Sequence, residues 1–320
     1  MSVKEEVLNQ LLKNCGKSLS GEELANCLNV SRTAIWKAVK TLKKEGYKVE
    51  AVTNKGYCLQ KDDELFTAQN VLSFLPENVY DIKIEKKVTS TNDIAKTLAQ
   101  KGAKEWTVIL ANEQTAGRGR YGRKFFSPQD TGVYCSVILR PKYKANETLF
   151  ITTSAAVAIC EAIEQLTGKK TQIKWVNDIF IEGKKVCGIL TEASLSVENG
   201  GLDFAVLGFG INLKTEKFPD ELKDIATSLF DNKYKGDARA KLTALILEKF
   251  NYYYQKISEK AFYNAYKQRS FVIGKQVHVV SGNIDEYATV LDIDENCFLK
   301  LRFASGEEKT LSSGEISIKL

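Results

Sequence analysis

The apolar residues change their spacing twice along this chain of 320 residues, and that change limits what the chain can build. In the first stretch they recur at helical intervals. Val7, Leu8, Leu11 and Leu12 share one helix face, and Leu24, Ala25 and Leu28 share another. Ser20-Gly-Glu-Glu23 has the form of a capping box, in which Ser20 and Glu23 satisfy each other's backbone donors. Asn29-Val30 reads as a turn and Ser31 as the cap of the next helix. That helix turns Ala34, Ile35, Val39 and Leu42 inward and Arg32, Thr33, Trp36, Lys37 and Lys40 outward, and Gly46 stops it. Tyr47–Val52 and Gly56–Leu59 then alternate like two strands around Thr53-Asn-Lys-Gly56.

Helix, helix-turn-helix and hairpin is the order of a winged helix-turn-helix. Such a module offers basic and polar groups to a DNA major groove, here from residues 21–40 with Ser31, Arg32, Thr33 and Lys37. Its wing offers Lys55 to phosphates. The plainer alternative is a small helical domain with a solvated basic face. Up to Lys61 the chain is net +5, and Asp62-Asp63-Glu64 then reverses the sign. A junction is expected there, giving a first domain over residues 1–64.

From Leu65 the pattern becomes mixed. Strands are expected over Val79–Val88, Trp106–Ala111, Gly132–Leu139, Gln172–Val176, Ile179–Ile181, Lys185–Glu192 and Phe204–Asn212. Helices are expected after Thr89-Ser-Thr-Asn92 and over Phe150–Leu166, Lys241–Tyr254 and Phe262–Arg269. This predicts an α+β domain over 65–270, a mixed sheet with helices on one face. Over 271–320 short strands recur at about ten-residue spacing, the signature of a small barrel. His278 falls in one of them and reads as a half-buried barrel residue.

Composition removes whole classes of chemistry. With a single histidine, a Ser-His-Asp triad could use only His278, and neither a His-rich metal site nor an HExxH site can be built. The cysteines stand at 15, 27, 58, 135, 160, 187 and 297, so there is no CxxC for zinc, an iron–sulfur cluster or redox work. Scattered thiols suggest a reducing, cytoplasmic setting. The first ten residues lack an apolar run, so no signal peptide is expected, and the apolar stretches near Ala155–Cys160 and Ala205–Leu213 are too short to span a membrane. A net charge of +6 permits nucleic-acid or phosphate partners without requiring them. Reactive groups must come from Lys, Arg, Asp, Glu, the backbone or a ligand.

Gln114-Thr-Ala-Gly-Arg-Gly-Arg-Tyr-Gly-Arg123 alternates Gly117, Gly119 and Gly122 with Arg118, Arg120 and Arg123. Glycines let a backbone approach a ligand, consecutive N–H groups make an anion nest, and guanidinium forks suit phosphate or carboxylate. A flexible basic loop or an RGG-like RNA segment are the alternatives, and the loop's place between two buried strands weighs against RNA. Lys174-Trp-Val-Asn-Asp178 puts Asn177 and Asp178 at a strand turn, where they suit either a metal–nucleotide or an ordinary Asx turn. Gly183–Glu192 carries Lys185 at the head of an apolar strand near Gly188. Gly208-Phe-Gly-Ile-Asn212 places two glycines inside a buried strand.

In this order, behind a winged helix, these stretches resemble the bacterial bifunctional biotin–protein ligase and biotin operon repressor family. Ser90-Thr-Asn92, Gln114–Arg123, Lys174–Asp178, Gly183–Glu192, Gly208–Asn212 and Leu311–Ser317 carry the resemblance. It implies a biotin/lipoate ligase-like central fold and an SH3-like C-terminal barrel. It also implies activation of biotin with ATP and Mg²⁺ to biotinyl-5′-AMP, and transfer to a lysine of the biotin carboxyl carrier protein of acetyl-CoA carboxylase or a related enzyme.

By resemblance, Lys185 and Arg118 would be catalytic. Ser90, Thr91, Asn92, Gln114, Gly117, Arg118, Gly119, Arg120, Lys185 and Gly188 would hold biotin and its adenylate. Arg123, Asn177, Asp178 and Asn212 would serve ATP, with Mg²⁺ on Asp178 and no zinc. Phe125 stands where a lid aromatic is expected. Val176 replaces a family proline, removing a fixed φ, and Lys319 replaces an arginine found in some members. A homodimer loaded with adenylate would bind operator DNA.

Three other assignments compete. Intact Lys185 and Arg118 weigh against a ligand sensor with a dead ligase core, and the glycine–arginine loop with the winged helix weighs against a lipoate ligase. The residues do not separate a repressing ligase from one that no longer reads an operator.

Overall fold

The computed structural model describes residues 2–44, 47–52, 55–60, 66–76, 79–141, 148–195, 201–231 and 237–318. The expectations placed on Gly46, Thr53, Asn54, Lys319 and the acidic junction at 62–64 lie outside the described residues. The chain divides into two compact units, Met1–Asn78 with Tyr234–Leu245, and Val79–Lys233 with Ile246–Leu320.

The first unit runs α1 (Val3–Lys13), β1 (Ser18–Leu19), α2 (Gly21–Cys27), α3 (Arg32–Lys44), β2 (Val49–Val52), β3 (Gly56–Leu59) and α4 (Ala68–Leu72). The capping box at Ser20 forms, with Glu23 N–H donating to Ser20 Oγ at 2.9 Å and Ser20 N–H to the Glu23 carboxylate at 2.9 Å. The same device, unforeseen from sequence, starts α1 at Ser2 and Glu5. Ala34 N–H donates to Ser31 Oγ at 3.2 Å, so Ser31 caps α3. Helix α3 buries Ile35, Ala38, Val39 and Leu42, while Ala34 is only half-buried. The difference is one of phase: a stripe through 35, 38, 39 and 42 keeps a 3.6-residue period, and position 34 falls on its flank. Arg32, Thr33, Trp36, Lys37 and Lys40 are exposed, and the Lys40 amine stands 4.9 Å from the Trp36 ring centre.

Strand β3 lies between β1 and β2 in a three-stranded sheet. Gly56 has φ +95°, and a Cβ there would overlap the Leu19 carbonyl, so glycine is what lets the hairpin close on β1.

The second unit contains β4 (Asp81–Glu85), α5 (Thr91–Gln100), β5 (Thr107–Ala111), β6 (Gly132–Leu139), α6 (Thr148–Thr167), β7 (Gln172–Lys174), β8 (Asp178–Ile181), β9 (Lys184–Leu195) and β10 (Leu202–Asn212). Then follow α7 (Ala238–Gln255), whose residues from Ile246 belong here, and α8 (Tyr263–Arg269). The seven strands order as β4-β5-β6-β10-β9-β8-β7. Only β4 and β5 run parallel, across the α5 crossover, so the sheet is mixed.

Helices cover both faces of this sheet, not one. Glu192 and Thr191 are consecutive on β9 and therefore point oppositely. The Glu192 carboxylate meets Asn92 of α5, and the Thr191 hydroxyl lies 2.7 Å from Thr152 of α6. Ala95 and Ala99 of α5 pack on Ile109, Ile138, Phe204 and Val206. Helix α6 is long and apolar enough to cross a membrane, more than the sequence reading allowed, and 72% of its apolar window is buried in the fold. That burial identifies it as a core helix, and its apolar character follows from packing under the sheet.

Strands β11 (Gln276–Ser281), β12 (Ile284–Ile293), β13 (Leu299–Phe303), β14 (Glu308–Leu311) and β15 (Glu315–Ile318) form a five-stranded antiparallel sheet in the order β14-β13-β12-β11-β15. Strand β15 falls at the end of Leu311–Ser317, the stretch that resembles the family's C-terminal strand. His278 is half-buried with Nε2 2.8 Å from the Asp285 carboxylate. It stands in the C-terminal sheet, as its alternating strand implied.

Replacing Ser20 with Ala should lower the stability of the first unit by about 1 kcal/mol through loss of the cap. Urea unfolding of the full chain followed by far-UV circular dichroism would measure it, and an unchanged midpoint would contradict the assignment.

Candidate functional site

One face of the seven-stranded sheet is stripped of side chains at three adjoining positions. Gly188 of β9 lies opposite Gly210 of β10, and Leu190 lies opposite Gly208. Opposed residues project from the same face. A Cβ at Gly208 would overlap the Asn92 amide, and one at Gly210 would overlap the Phe125 ring. The glycines therefore leave a bare floor on which the start of α5 and Phe125 rest. Ser90, Thr91, Asn92, Gln114, Arg118 and Gly188, all expected from sequence, line one cavity over that floor. Phe125, Cys135, Leu190 and Gly208 to Gly210 complete it.

The row continues outward. Gly188 is in register with Asp178 of β8, and Asp178 with Lys174 of β7. Ordinary alternation would turn Lys185 to the opposite face from Gly188. The β8–β9 register shifts between Ile179 and Phe180, so that Phe180 pairs with Lys185 where Ile179 pairs with Cys187. Such a bulge re-aims a side chain. A Cβ on Gly188 would stand 3.3 Å from Lys185 Cε and Nζ, so the lysine end lies above the floor. The Lys185 backbone is held by Ile225 and Thr227, at 2.8 and 2.9 Å.

Lys185 Nζ approaches Asp178 Oδ1 to 2.7 Å, and that buried oxygen has no hydrogen-bond partner. We read the contact as an ion pair. Burial pushes the Lys174 amine below its usual range; Asp178 opposes this and Lys185 adds to it. Among the described residues no group of three or more His, Cys, Asp or Glu could cage a metal. One strand-turn carboxylate suits Mg²⁺ that arrives on phosphates, which keeps most of its other ligands, and does not suit an all-protein site.

The Lys174–Asp178 turn is tightly held although Val176 lacks the ring of proline. The Trp175–Val176 peptide bond is cis. Trp175 Nε1 donates to the Cys297 carbonyl at 2.9 Å, Tyr266 Oη to the Val176 carbonyl at 3.0 Å, and Asn177 Nδ2 to the Ile189 carbonyl at 2.7 Å.

The polar side of the cavity is one connected network. Gln114 Oε1 accepts from Thr91 N–H at 2.8 Å and from the Thr91 hydroxyl at 3.1 Å. It thereby satisfies an orphan donor at the start of α5, where Ser90 makes no side-chain cap bond. Gln114 Nε2 donates to Ser127 Oγ at 3.0 Å, and Ser127 to the Phe125 carbonyl at 3.0 Å. The Ser136 hydroxyl lies 2.7 Å from Thr91 Oγ1 and 2.6 Å from Asn92 Oδ1. Asn92 Nδ2 donates to Glu192 Oε2 at 2.8 Å.

Glu192, Ser136 and Ser127 had no assigned role from sequence. Their signal was present: Glu192 follows Gly188 and Leu190 at two-residue steps, so a charge on an apolar strand had to face the same floor. Ser136 is the one aliphatic hydroxyl within the buried run Gly132–Leu139.

The glycine–arginine loop folds back on itself, with Gly119 N–H donating to the Arg123 carbonyl at 2.7 Å and Phe125 N–H to the Gly117 carbonyl at 2.8 Å. Arg118 is drawn to Asp93 at 2.9 Å and to Glu192 at 3.4 Å. Arg120 stacks over Tyr121 at 5.0 Å, and Arg123 pairs with Glu315. Gly117 packs beneath Phe125 and Ser127, and Asn212 is buried at the end of β10. Gly117, Gly119, Arg120, Arg123, Asn177, Asp178, Lys185 and Asn212 lie outside the cavity lining proper, with Lys185 and Asp178 at its edge beside Gly188. Burial raises the Cys135 and Cys187 thiols well above their usual range, so neither is a thiolate nucleophile at neutral pH.

Residues 85–212 match the Biotin/lipoate A/B protein ligase family, 3–58 an HTH domain and 272–319 the Biotin protein ligase C terminal domain. The chain is 36% identical over 314 residues to the Bifunctional ligase/repressor BirA of Bacillus subtilis, covering 96% of both proteins. It is 27% identical to the protein of the same name from Escherichia coli, over 97% of this chain and 95% of the other. The biotin protein ligase of Aquifex aeolicus solved with biotin and ATP superposes with a TM-score of 0.63 at 28% identity, over 75% of this chain and 98% of that one.

Burial pushes the Glu192 carboxyl up, but hydrogen bonds from Lys96 and Asn92 and the charges of Lys96 and Arg118 outweigh it and hold it below the usual carboxylate range. A carboxyl depressed in the folded state stabilises above its unfolded pKa, about 4.3, and that stabilisation is lost as pH falls through the lower folded value. The stability difference between wild type and Glu192→Gln should therefore be flat from about pH 8 to 5 and shrink only below about pH 4. Urea unfolding of both proteins across that range checks it.

Proposed function

This chain belongs to the bacterial family of bifunctional biotin–protein ligases and repressors, and we propose that its cavity makes and holds biotinyl-5′-AMP. The chain joins biotin to ATP and passes biotin to a protein lysine, and through its HTH domain it acts as a repressor. The observation that carries the reading of the site is the bulge that turns Lys185 onto the glycine floor beside Asp178.

In the first step a carboxylate oxygen of biotin bonds to the α-phosphorus of ATP. The bond from that phosphorus to the bridging oxygen breaks, and pyrophosphate leaves. Both partners are anionic, so the enzyme must neutralise and align them and needs no nucleophile of its own. The biotin ring lies against Ser90, Thr91, Asn92 and Gln114, its chain passes Gly188 beside the Phe125 ring that rests on Gly210, and its carboxylate reaches Lys185. Phe125 covers the floor. Arg118, with Gly117, Gly119 and Arg120, belongs to the loop that encloses the adenylate.

Arg123, Asn177, Asp178 and Asn212 lie on the nucleotide side. Asp178 would be the carboxylate to hold a Mg²⁺ ion arriving with ATP, whose charge would offset that of the departing pyrophosphate. In the second step the lysine amine of a biotin carboxyl carrier protein bonds to the acyl carbon. AMP leaves with the bonding pair, and the amine proton passes to solvent.

Residues 1–64 serve DNA recognition, 65–270 catalysis and 271–320 the C-terminal sheet. Ser31, Arg32, Thr33 and Lys37 face an operator groove, and Lys55 a phosphate. A homodimer formed on the adenylate supplies two recognition helices.

Incubation with labelled biotin, MgATP and apo carrier domain should label the carrier, and an unlabelled carrier with working controls would sink the ligase reading. Replacing Lys185 with Ala should slow pyrophosphate release by about 10²–10³-fold, with a smaller change in biotin affinity. Wild-type adenylate yield would refute its role.

A further inference from the structure

The ion cluster beside the cavity closes on itself. Arg118 and Lys96 face Asp93 and Glu192, two cations against two carboxylates. The Lys96 amine donates to Glu192 Oε1 at 2.8 Å and stands 3.5 Å from Asp93. Arg118 and Lys96 are thus balanced by two carboxylates, whereas Lys174 and Lys185 share the one carboxylate of Asp178 and leave a positive charge there for an arriving carboxylate. Glu192 sits where two parts of the site meet. Its Oε2 takes the Asn92 amide, which lines the cavity, and its Oε1 takes Lys96 and the guanidinium of Arg118, which belongs to the loop.

We infer that Glu192 is a positioning residue for biotin, fixing the Asn92 amide and holding Arg118 of the glycine–arginine loop against the cavity edge. The inference rests on the proposed biotin site and deepens it.

The physical grounds are local. An amide can present either its carbonyl or its NH₂ group, and the choice is set by its neighbours. Here Glu192, which accepts only, takes Nδ2, and the Ser136 hydroxyl lies against Oδ1, so Asn92 has one stable orientation. Gly208 leaves the space in which that amide sits. The second Nδ2 hydrogen and the second Oδ1 lone pair then remain, in a fixed direction, for a ligand. Without the carboxylate the amide loses the acceptor that orients it, and Arg118 keeps only its contact with Asp93. The effect should fall on binding, because Glu192 stands on the Asn92 side of the floor and Lys185 on the Asp178 side.

Single-turnover pyrophosphate release, measured against biotin concentration at saturating MgATP, tests this with wild type, Glu192→Ala and Glu192→Gln. Thermal unfolding is followed in parallel. Glu192→Ala should raise half-saturating biotin by about tenfold or more while the saturating rate stays within about threefold. Glu192→Gln keeps an acceptor for Asn92 and should recover most of the biotin affinity. Its amide also removes the counter-charge of Arg118, so biotin should dissociate faster than from wild type.

Half-saturation unchanged in Glu192→Ala would overturn the inference. So would an equal loss of saturating rate in both variants without a change in half-saturation. If Glu192→Ala unfolds, Glu192→Gln decides alone through the biotin dissociation rate, and a wild-type rate there rejects the inference. Wild-type protein that releases no pyrophosphate with biotin would instead reject the proposed biotin site.

Discussion

The site depends on what is missing from one face of a sheet. Gly188, Gly208 and Gly210 adjoin on β9 and β10, and at two of them a single added carbon would meet Asn92 or Phe125. Everything that shapes the cavity uses that space. The start of α5 comes down onto the sheet, Phe125 rests against Gly210, and the bulge before Gly188 brings Lys185 to its edge. An ordinary β-strand with side chains at these positions would fill the cavity with its own core. The cost is borne by apolar packing elsewhere, in the alanines of α5 against Ile109, Ile138, Phe204 and Val206 and in the buried helix α6.

Over this floor the polar groups are distributed by charge. Hydroxyls and amides gather at the α5 end and satisfy one another, and the ion cluster around Glu192 is neutral. The lysines Lys174 and Lys185 stand at the other end with one aspartate between them. A molecule with a polar, uncharged head and an anionic tail would find matching surroundings along a single direction. That polarity, with Cys135 and Cys187 buried and protonated and the single histidine in the C-terminal sheet, favours chemistry by neutralisation over chemistry by a protein nucleophile.

Much of this was legible in the chain because the signals were local. The capping box at Ser20 needs only two residues three apart, and the strand Gly132–Leu139 is continuous apolar sequence bounded by turn residues. The motifs around Gln114, Lys174, Lys185 and Gly208 gave the site's members. What the sequence could not give was non-local. Whether α5 and α6 share a face depends on register, since Thr191 and Glu192 differ by one position and reach opposite helices. The turn of Lys185 onto the floor depends on a bulge that no residue pattern announces. Arg118 reads as a free anion receptor in sequence, and it is the fold that brings Asp93 and Glu192 to it from elements far away in the chain. Ser136 and Ser127 look like ordinary hydroxyls until Thr91, Asn92 and Gln114 are set beside them.

The central claim is that this chain activates a carboxylate by holding and neutralising anions, with no covalent bond to itself. Intact-mass measurement after a single turnover with biotin and MgATP, without carrier protein, tests it directly. The account predicts one pyrophosphate released per chain, biotinyl-5′-AMP recovered on acid denaturation, and a protein mass equal to that of the untreated chain. A stoichiometric biotinyl or adenylyl adduct on the chain, formed at the rate of pyrophosphate release, would contradict it.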